Sequence, residues 1–333
     1  MKFNIAVIGC GGVSSMHFEG FARHTDRVQV VAVCDPDANR RAQAQQQYGI
    51  AHGFATVEEL LAGSDFTVAV VCTPTNVREP VVTALAGAGK HVLVEKPFAS
   101  SLEEGARMVE VCEKNGVLLA VDQNFRYHFP FHLAKRCISE GLVGPVTAIH
   151  LQHMHFRQDS GWRTREKRHT LEIMGVHWLD GFRWILNSEG RSVAAQMRHS
   201  NTIDCIGETD LSVQVAFDSG TFATYIDSFS SLVPRCEALI IGERGTLRLD
   251  YDGMALFDRS GASQPTQKWS NPFAGDGKPD SAFECLSQLL LALESGAQPS
   301  NGGRDNLQTL SLMEAAYLSA ESGATIALTE GRL

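Results

Sequence analysis

Residues 4–14, NIAVIGCGGVS, decide how the chain begins to fold. The first five are mostly apolar or β-branched, which predicts a buried strand. In the G-x-G-x-x-S pattern that follows, Gly9 permits a tight turn and Gly11 lets the backbone approach a pyrophosphate. A helix is predicted directly after the glycines, so Gly12 and Val13 lie at its N-terminus, where free amides stabilise an anion. This stretch therefore predicts a dinucleotide-binding turn.

The first third of the chain alternates short β-branched runs with amphipathic stretches, which is typical of a parallel sheet covered by helices on both faces. Two capping boxes, Thr56 with Glu59 and Ser101 with Glu104, predict helix starts between the strands. Residues 1–122 are therefore predicted to form a doubly wound, dinucleotide-binding (Rossmann) domain of an α/β protein. The strands are predicted at residues 4–8, 29–34, 66–72, 91–95 and 118–122.

After residue 122 the pattern changes to alternating runs that fit antiparallel strands, with helices covering one face. Residues 123–333 are predicted to form this second, α+β domain, which would bind the substrate. A stretch rich in Gly, Ser and Pro, residues 258–279, is predicted as a loop. The predicted strands are 146–156, 211–217, 221–227, 238–241 and 246–250, and the predicted helices are 130–140, 171–186, 281–294 and 305–322.

Composition limits the kind of partner. The 333 residues carry a formal net charge of -9, which argues against nucleic acid because phosphate neutralisation needs a basic face. No apolar run approaches the ~20 residues of a membrane span, and the N-terminus does not resemble a signal peptide. The eight cysteines form no C-x-x-C pair, so no metal site is expected. These features predict a cytoplasmic protein with a small polar ligand.

Asp35 follows the second predicted strand, about 24 residues after Gly11, where an acidic side chain accepts hydrogen bonds from the ribose hydroxyls of a dinucleotide. A carboxylate there repels a 2′-phosphate, so NAD is favoured over NADP. Arg40 and Arg41 lie nearby and keep NADP open. The alternative interpretation of Asp35 is a helix N-cap or a turn residue.

Lys96 lies in the tripeptide Glu95-Lys96-Pro97, directly after the fifth predicted strand. Doubly wound folds bind their ligands at this carboxyl edge of the sheet. A lysine there can donate a hydrogen bond to a substrate oxygen and transfer a proton if its surroundings adjust its pKa. In isolation, the tripeptide is better explained by a surface salt bridge before a turn.

Further motifs accompany this tripeptide in a fixed order: CTPT at 72–75, NFRY at 124–127, GVHWLD at 175–180 and EAAYLSAESG at 314–323. Together with G-x-G-x-x-S, the set resembles the glucose-fructose oxidoreductase, inositol dehydrogenase and rhizopine catabolism family of dehydrogenases. The resemblance covers nearly the whole chain. It implies an open, predominantly antiparallel second sheet that carries the contact of a homodimer or homotetramer, with the C-terminal helix packing back toward the first domain.

The resemblance also implies hydride transfer between a nicotinamide ring and a hydroxyl-bearing carbon of a sugar, cyclitol or sugar-acid-like substrate. It makes Lys96 the group at the reacting oxygen and His177 an acid/base or its relay, with Pro97 in a cis peptide bond. By the same resemblance Thr73, Pro74 and Glu95 bind the cofactor and Asn124 and Arg126 bind the substrate. From the residues alone, His177 is also explained as a core histidine bonded to a backbone carbonyl.

Two positions depart from the family. Its usual pattern is D-x-G-x-H-x-x-D, but Ile173 stands at the first acidic position. Glu172 does not simply replace it, because one residue along an α-helix rotates a side chain by roughly 100°. His177 and Asp180 remain three residues apart on one helical face, so Asp180 is predicted to orient the imidazole or bind a substrate hydroxyl. Arg78 stands where many members carry histidine.

The most basic stretch, residues 156–169, precedes the predicted His177 helix. Trp162 is a candidate floor for a sugar ring, and Arg163 or Arg168 a candidate for reading a carboxylate or hydroxyl. The alternative is a solvated charged face.

The aromatic residues of the following helix are interpreted as core, because helical spacing already explains them. They are Trp178, Phe182 and Trp184.

Two other classes of function remain open at this point. One is a glycosidase that uses NAD transiently, a reaction to which the missing acid at Ile173 gives slight weight. The other is a cofactor-sensing regulator, against which the intact Glu95-Lys96-Pro97 counts. Release of a free sugar without net cofactor reduction would distinguish the glycosidase.

Overall fold

The computed structural model describes residues 1–250, 252–260, 264–272 and 277–328. The chain forms two compact units, the first from Met1–Tyr127 with Gly277–Leu307 and the second from His128–Asp276 with Gln308–Leu333. The predicted boundary at residue 122 differs from this division chiefly because it left Gly277–Leu307 in the second domain. No helix among the described residues is long and apolar enough to cross a membrane.

The first unit contains a six-stranded parallel sheet in the order β3-β2-β1-β4-β5-β6. The five predicted strands are confirmed within a few residues, and β3 was missed. The strands are β1 (Phe3–Ile8), β2 (Val28–Cys34), β3 (His52–Phe54), β4 (Val68–Val71), β5 (His91–Val94) and β6 (Leu119–Val121). The helices between them are α1 (Ser14–Arg23), α2 (Ala38–Tyr48), α3 (Val57–Gly63), α4 (Arg78–Gly87) and α5 (Leu102–Lys114).

Both predicted capping residues start their helices. The Thr56 hydroxyl accepts from Glu59 N at 3.2 Å and the Ser101 hydroxyl from Glu104 N at 3.1 Å. Because these bonds satisfy amides that have no partner inside the helix, they fix where α3 and α5 begin. The central strands β1, β4 and β5 are almost wholly buried, as expected for strands covered on both faces.

The second unit begins with α6 (Phe131–Ser139), β7 (Val146–Phe156), a single π-helical turn (Leu171–Gly175) and α7 (Val176–Leu186). The predicted continuous α-helix at 171–186 is therefore wrong in its first turn. The following strands are β8 (Gly190–Arg198), β9 (Asp210–Phe217), β10 (Phe222–Ser228), β11 (Ser230–Gly242), β12 (Gly245–Leu249), β13 (Gly253–Asp258) and β14 (Gln267–Ser270). Strand β14 lies inside the predicted loop 258–279, of which residues 261–263 and 273–276 are outside the described residues.

The last described elements are α8 (Lys278–Ser295), α9 (Gly303–Ser322) and β15 (Ile326–Ala327). Helix α8 belongs to the first unit because Phe283, Leu286 and Leu289 share a hydrophobic core with Ile5 of β1 and Phe18 of α1. A single domain boundary along the sequence cannot place α8 in the first unit, because a long segment of the second unit lies between β6 and α8.

The described strands of the second unit form a nine-stranded sheet in the order β14-β13-β12-β11-β7-β10-β9-β8-β15. The sheet is predominantly antiparallel, as predicted, with one parallel pair between β7 and β10. Helices cover one face: the Trp178 ring of α7 lies 5.6 Å from His153 of β7, and the Ser319 hydroxyl of α9 accepts from Ala195 N of β8. The opposite face presents the alternate side chains of the strands.

Candidate active site

The glycine turn lies where β1 ends. Gly9 has φ 93°, a conformation that L side chains rarely adopt, and a Cβ there would lie 2.9 Å from the backbone carbon of Cys72. A Cβ at Gly11 or Gly12 would meet no atom within 4 Å. The turn is therefore tight against its neighbouring strand on one side and open on the other.

The open side leads directly into α1. Ser14 donates from its backbone N and its hydroxyl to the Gly11 carbonyl, at 3.0 and 2.7 Å, and this closes the turn. Val13, the N-cap residue, has no side-chain acceptor for the first amides of the helix. Free amides beside two open glycines fit the pyrophosphate of a dinucleotide.

Asp35 is buried at the end of β2 beside this turn. Its Oδ2 accepts from Cys10 N and its Oδ1 from Asp37 N, each at 2.8 Å. Asp37, and not Asp35, is the N-cap of α2, so the N-cap alternative for Asp35 is wrong, although the bond to Asp37 N is a turn contact. Arg41 donates to the Asp35 carbonyl at 2.6 Å, and Arg40 Nε lies 3.6 Å from Asp37 Oδ2. Both arginines thus have partners within their own segment.

Lys96 lies in the turn after β5, and the Lys96–Pro97 peptide bond is cis, as expected. Because β4 alone separates β1 from β5, this turn and the glycine turn occupy the same carboxyl edge of the sheet. The buried Arg78 side chain donates to the carbonyls of Thr73 at 2.9 Å and Glu95 at 2.5 Å, and also to that of Pro97. Sequence reasoning noted Arg78 only as a departure and missed these contacts.

A buried polar cluster lies beneath the Lys96 turn. His17 Nε2 of α1 lies 2.8 Å from Glu95 Oε1 and 3.7 Å from Asp122 Oδ2 at the end of β6. The thiols of Cys72 and Cys285 contact His17 and Asp122 respectively. Sequence reasoning missed this cluster because its members are far apart along the chain and each looks like an isolated polar residue.

The pKa values of the cluster's ionisable side chains are shifted in different directions. Burial, together with the negative charge of Glu95, raises the pKa of Asp122 to about 8. Burial opposes a charge on His17, but its contacts with Cys72, Glu95 and Asp122 outweigh this and raise the pKa of His17 well above its usual value. Burial acts likewise against the Glu95 carboxylate, yet His17, Lys96 and Arg78 lower the pKa of Glu95. Near neutral pH the cluster therefore contains an ion pair beside a protonated Asp122.

His17, Glu95 and Asp122 offer possible metal-ligand atoms that all lie within 4.8 Å of one another, close enough to surround a metal ion. His17 and Glu95 are already at direct hydrogen-bond distance, 2.8 Å, and Asp122 favours its protonated form. We therefore interpret the cluster as a proton-sharing network that supports the Lys96 turn.

In the second unit, the π-helical turn changes the geometry around Ile173. The buried Glu208 carboxylate accepts from His169 N, Leu171 N and the Tyr317 hydroxyl, at 2.9 to 3.0 Å. These bonds hold the start of the turn, which is wider than an α-helical one. The rotation of roughly 100° assumed between Glu172 and Ile173 therefore does not apply across this turn.

Glu172 lies close enough to Tyr317 of α9 to act on it electrostatically. Burial, with the charges of Glu208 and Glu172, raises the pKa of Tyr317 well above its usual value. The Glu172 carboxylate, one residue before the position where the family carries an acid, thus acts on a neighbouring helix.

His177 and Asp180 are both buried on α7, as the predicted helical face requires. Asp180 Oδ1 accepts from the Thr309 hydroxyl at 2.9 Å and lies 3.6 Å from Arg183 Nη1. Trp178 and Phe182 are buried, which confirms their interpretation as core residues, whereas Trp184 is only half-buried.

Beside α7, strands β7 and β10 place His153 opposite Asp227. His153 Nδ1 lies 2.9 Å from Asp227 Oδ1, and the Tyr225 hydroxyl donates to the other carboxylate oxygen. This buried triad was also missed, since the parallel pairing that creates it joins strands 74 residues apart.

The remaining predicted residues have different surroundings. Arg126 is buried and donates to the Ser300 carbonyl at 2.9 Å and to Asp305 at 2.5 Å. Asn124 is buried beside Met16, whereas Trp162 is 41% exposed with Arg163 over its ring. Predicted residues of the first unit that lie together at one sheet edge are Gly9, Gly11, Gly12, Val13, Asp35, Thr73, Pro74, Glu95 and Lys96. Asn124 and Arg126 also belong to the first unit, whereas Trp162, Arg163, His177 and Asp180 belong to the second.

A Rossmann sheet with an open glycine turn, an acidic residue after β2 and a lysine at its carboxyl edge defines an NAD-binding oxidoreductase. Family comparison agrees. Residues 3–123 match the model described as "Oxidoreductase family, NAD-binding Rossmann fold", and residues 131–248 match the GFO/IDH/MocA C-terminal domain. The chain belongs to this GFO/IDH/MocA family, and it is an NAD-dependent dehydrogenase that acts on CH–OH groups.

Similar proteins span nearly the whole chain. D-apiose dehydrogenase of Paraburkholderia graminis is 30% identical, over 98% of this chain and 90% of that protein. Myo-inositol 2-dehydrogenase of Thermotoga maritima is 25% identical, over 98% of each. The crystal structure of an Agrobacterium radiobacter oxidoreductase in complex with NAD+, L-tartaric acid and magnesium has the same fold, with a TM-score of 0.89, 24% identity and 98% of each chain covered.

Proposed function

We propose that this enzyme oxidises a hydroxyl-bearing carbon of a sugar, cyclitol or sugar-acid-like substrate, reversibly and with NAD. The observation that carries the proposal is the position of Lys96, in the turn after β5, at the sheet edge that also holds the glycine turn and Asp35. The relatives support the substrate class, since their names specify apiose and inositol. They give no support to a glycosidase or a cofactor sensor.

The cofactor-binding roles follow from the open edge of the first unit. The backbone at Gly11 and Gly12 and the first amides of α1 would hold the pyrophosphate, and Asp35 would accept from the adenosine ribose hydroxyls. Thr73 and Pro74, in the loop after β4, would contact the nicotinamide half. When bound, NAD supplies the hydride acceptor, while the protein supplies orientation and proton handling.

Lys96 is the proposed proton-handling residue at the reacting oxygen. As the alcohol is oxidised, its hydroxyl proton passes to the lysine amine, and in the reverse direction the ammonium returns it. His177 is the proposed relay from α7, with Asp180 assisting. Trp162 and Arg163 are proposed to contact the substrate, as are Asn124 and Arg126, although the Arg126 guanidinium is already engaged by Asp305.

The decisive test is Lys96→Met. Because general acid–base catalysis contributes about 10²–10⁴-fold, kcat should fall by at least 100-fold while the Kd of NAD stays within a factor of about three. The control is Lys114→Met, which removes an exposed lysine from the last turn of α5. Ordinary turnover by the Lys96 variant would show that another group handles the proton.

The substrate is found by screening sugars, polyols and sugar acids with NAD and NADP and following nicotinamide absorbance. D-apiose, myo-inositol and L-tartrate head the screen. We expect reduction of NAD in preference to NADP, because the Asp35 carboxylate disfavours a 2′-phosphate. Release of sugar from a glycoside with no reduced cofactor would contradict the proposal.

We also propose a homodimer or homotetramer formed through the uncovered face of the nine-stranded sheet. Phe222 at the start of β10 is 40% exposed on this face, with the ring of His150 against it at 5.7 Å. Light scattering after size exclusion measures the assembly, and Phe222→Arg should reduce its size. A cytoplasmic location stays a prediction of the sequence.

A further inference from the structure

The turn that carries Lys96 extends beyond the regular strand. Glu95 N still donates to the Val71 carbonyl at 3.0 Å, which continues the ladder between β4 and β5 by one bond. The carbonyls of Glu95 and Pro97 then both accept from Arg78 Nη1. One guanidinium group thus holds the backbone on either side of Lys96.

The same guanidinium reaches the loop after β4. Arg78 Nε donates to the Thr73 carbonyl at 2.9 Å. Thr73 N lies 3.0 Å from the position a Cβ would take at Gly9, so this loop packs directly against the glycine turn. Arg78 therefore connects the backbone of the cofactor edge to the backbone of the Lys96 turn.

The side chain is suited to this connection. Arg78 is only 4% exposed, so its charge is not screened by bulk water. Its planar fork donates in fixed directions, whereas a lysine ammonium is a point donor on a flexible stem. Hydrogen bonds from a charged donor are stronger than those from a neutral one, so the bonds to Glu95 and Pro97 hold the Lys96 turn and the bond to Thr73 holds the loop after β4.

We infer that Arg78 is a positioning residue, whose guanidinium sets the Lys96 turn at a fixed distance from the cofactor edge. The inference rests on the proposed role of Lys96 and adds the side chain that holds Lys96 in position. A shift of about 1 Å at a catalytic group can cost about 100-fold in rate, which is the scale of effect expected when these bonds are lost.

The first experiment compares Arg78→Lys and Arg78→Ala with wild type. We expect kcat to fall by about 10–100-fold in both, with the Kd of NAD and the substrate KM within about three-fold. Arg107→Ala is the matched control, because Arg107 also bonds to α4, through Glu79 on the surface, at 2.6 and 2.8 Å. Unchanged kcat in a folded Arg78→Lys would overturn the inference, even where Arg78→Ala does not fold.

Chemical rescue separates positioning from a general loss of structure. Added guanidinium chloride, at millimolar concentration below any denaturing effect, should restore part of kcat in folded Arg78→Ala and none in Lys96→Met. Failure of guanidinium to raise kcat in folded Arg78→Ala would contradict a positioning role for the guanidinium group.

A double variant tests whether Arg78 acts through Lys96. Lys96→Met with Arg78→Lys should be no slower than Lys96→Met alone, since a misplaced turn no longer matters once its lysine is gone. Multiplying effects would overturn the inference. If Lys96→Met itself remains active, the proposed function fails, whatever the Arg78 variants show.

Discussion

Three glycine-to-alanine variants separate the cost of backbone strain from the loss of cofactor binding. Gly49 ends α2 with φ 67° and has open space where a Cβ would lie. Gly49→Ala should therefore cost only the strain of a left-handed residue, about 1–2 kcal/mol. Gly9 has φ 93° and a backbone carbon 2.9 Å from its Cβ position. Overpacking adds about 1–3 kcal/mol, so Gly9→Ala should cost about 2–5 kcal/mol.

Gly11→Ala should leave stability unchanged, because its Cβ meets no protein atom within 4 Å. If the pyrophosphate lies against this residue, the methyl group displaces it from the helix amides. Losing one charge-assisted hydrogen bond costs about 1.5–3 kcal/mol, so the Kd of NAD should rise about 10–150-fold.

The assay is thermal unfolding of each variant without cofactor, followed by calorimetric titration with NAD. Gly49→Ala serves as the strain control and should bind NAD normally. Wild-type NAD affinity in Gly11→Ala would refute the placement of the pyrophosphate. Equal stability of Gly9→Ala and Gly49→Ala would refute the steric argument.

Two further variants probe the buried carboxylates. Because the pKa of Asp122 is raised to about 8, the fold keeps a proton that the unfolded chain releases near pH 4, so the free energy of unfolding falls as pH rises between these values. Asp122→Asn should flatten this slope in urea titrations, although His17 keeps part of it above about pH 6.5; an unchanged slope contradicts the assignment. Glu208→Gln replaces one carboxylate oxygen by an amide donor, which then faces the backbone N–H of His169 or Leu171. The free energy of unfolding should therefore fall by about 1–3 kcal/mol. Denaturant unfolding measures this change, and Glu321→Gln at an exposed position is the control.

The features that were correctly predicted from the sequence are those that depend on residues close together in the chain. The glycine turn, the caps at Thr56 and Ser101 and the strands of the first sheet depend on residues a few positions apart. Asp35 was predictable for the same reason, since the end of a buried strand marks its position. The three-residue β3 shows no alternation and was beyond such reasoning.

Contacts between distant residues explain the rest. The π-helical turn depends on Glu208, 37 residues after Leu171, which no helical pattern reveals. Arg78 reaches carbonyls 17 and 19 residues away, and His17 meets Glu95 78 residues away. An α-helical spacing was assumed around Ile173 because local sequence favours it, and only the fold shows otherwise.

The return of α8 to the first unit bears on the order of events during synthesis. Residues up to Tyr127 leave the ribosome long before Gly277, yet the core around Ile5 and Phe18 needs Phe283 and Leu286. The core of the nascent cofactor-binding unit therefore stays incomplete, with part of its apolar surface uncovered, until α8 has been translated. Ribosome-bound chains arrested before residue 277 should consequently be easily proteolysed and unable to retain NAD, although every glycine and acidic residue of that site has already emerged.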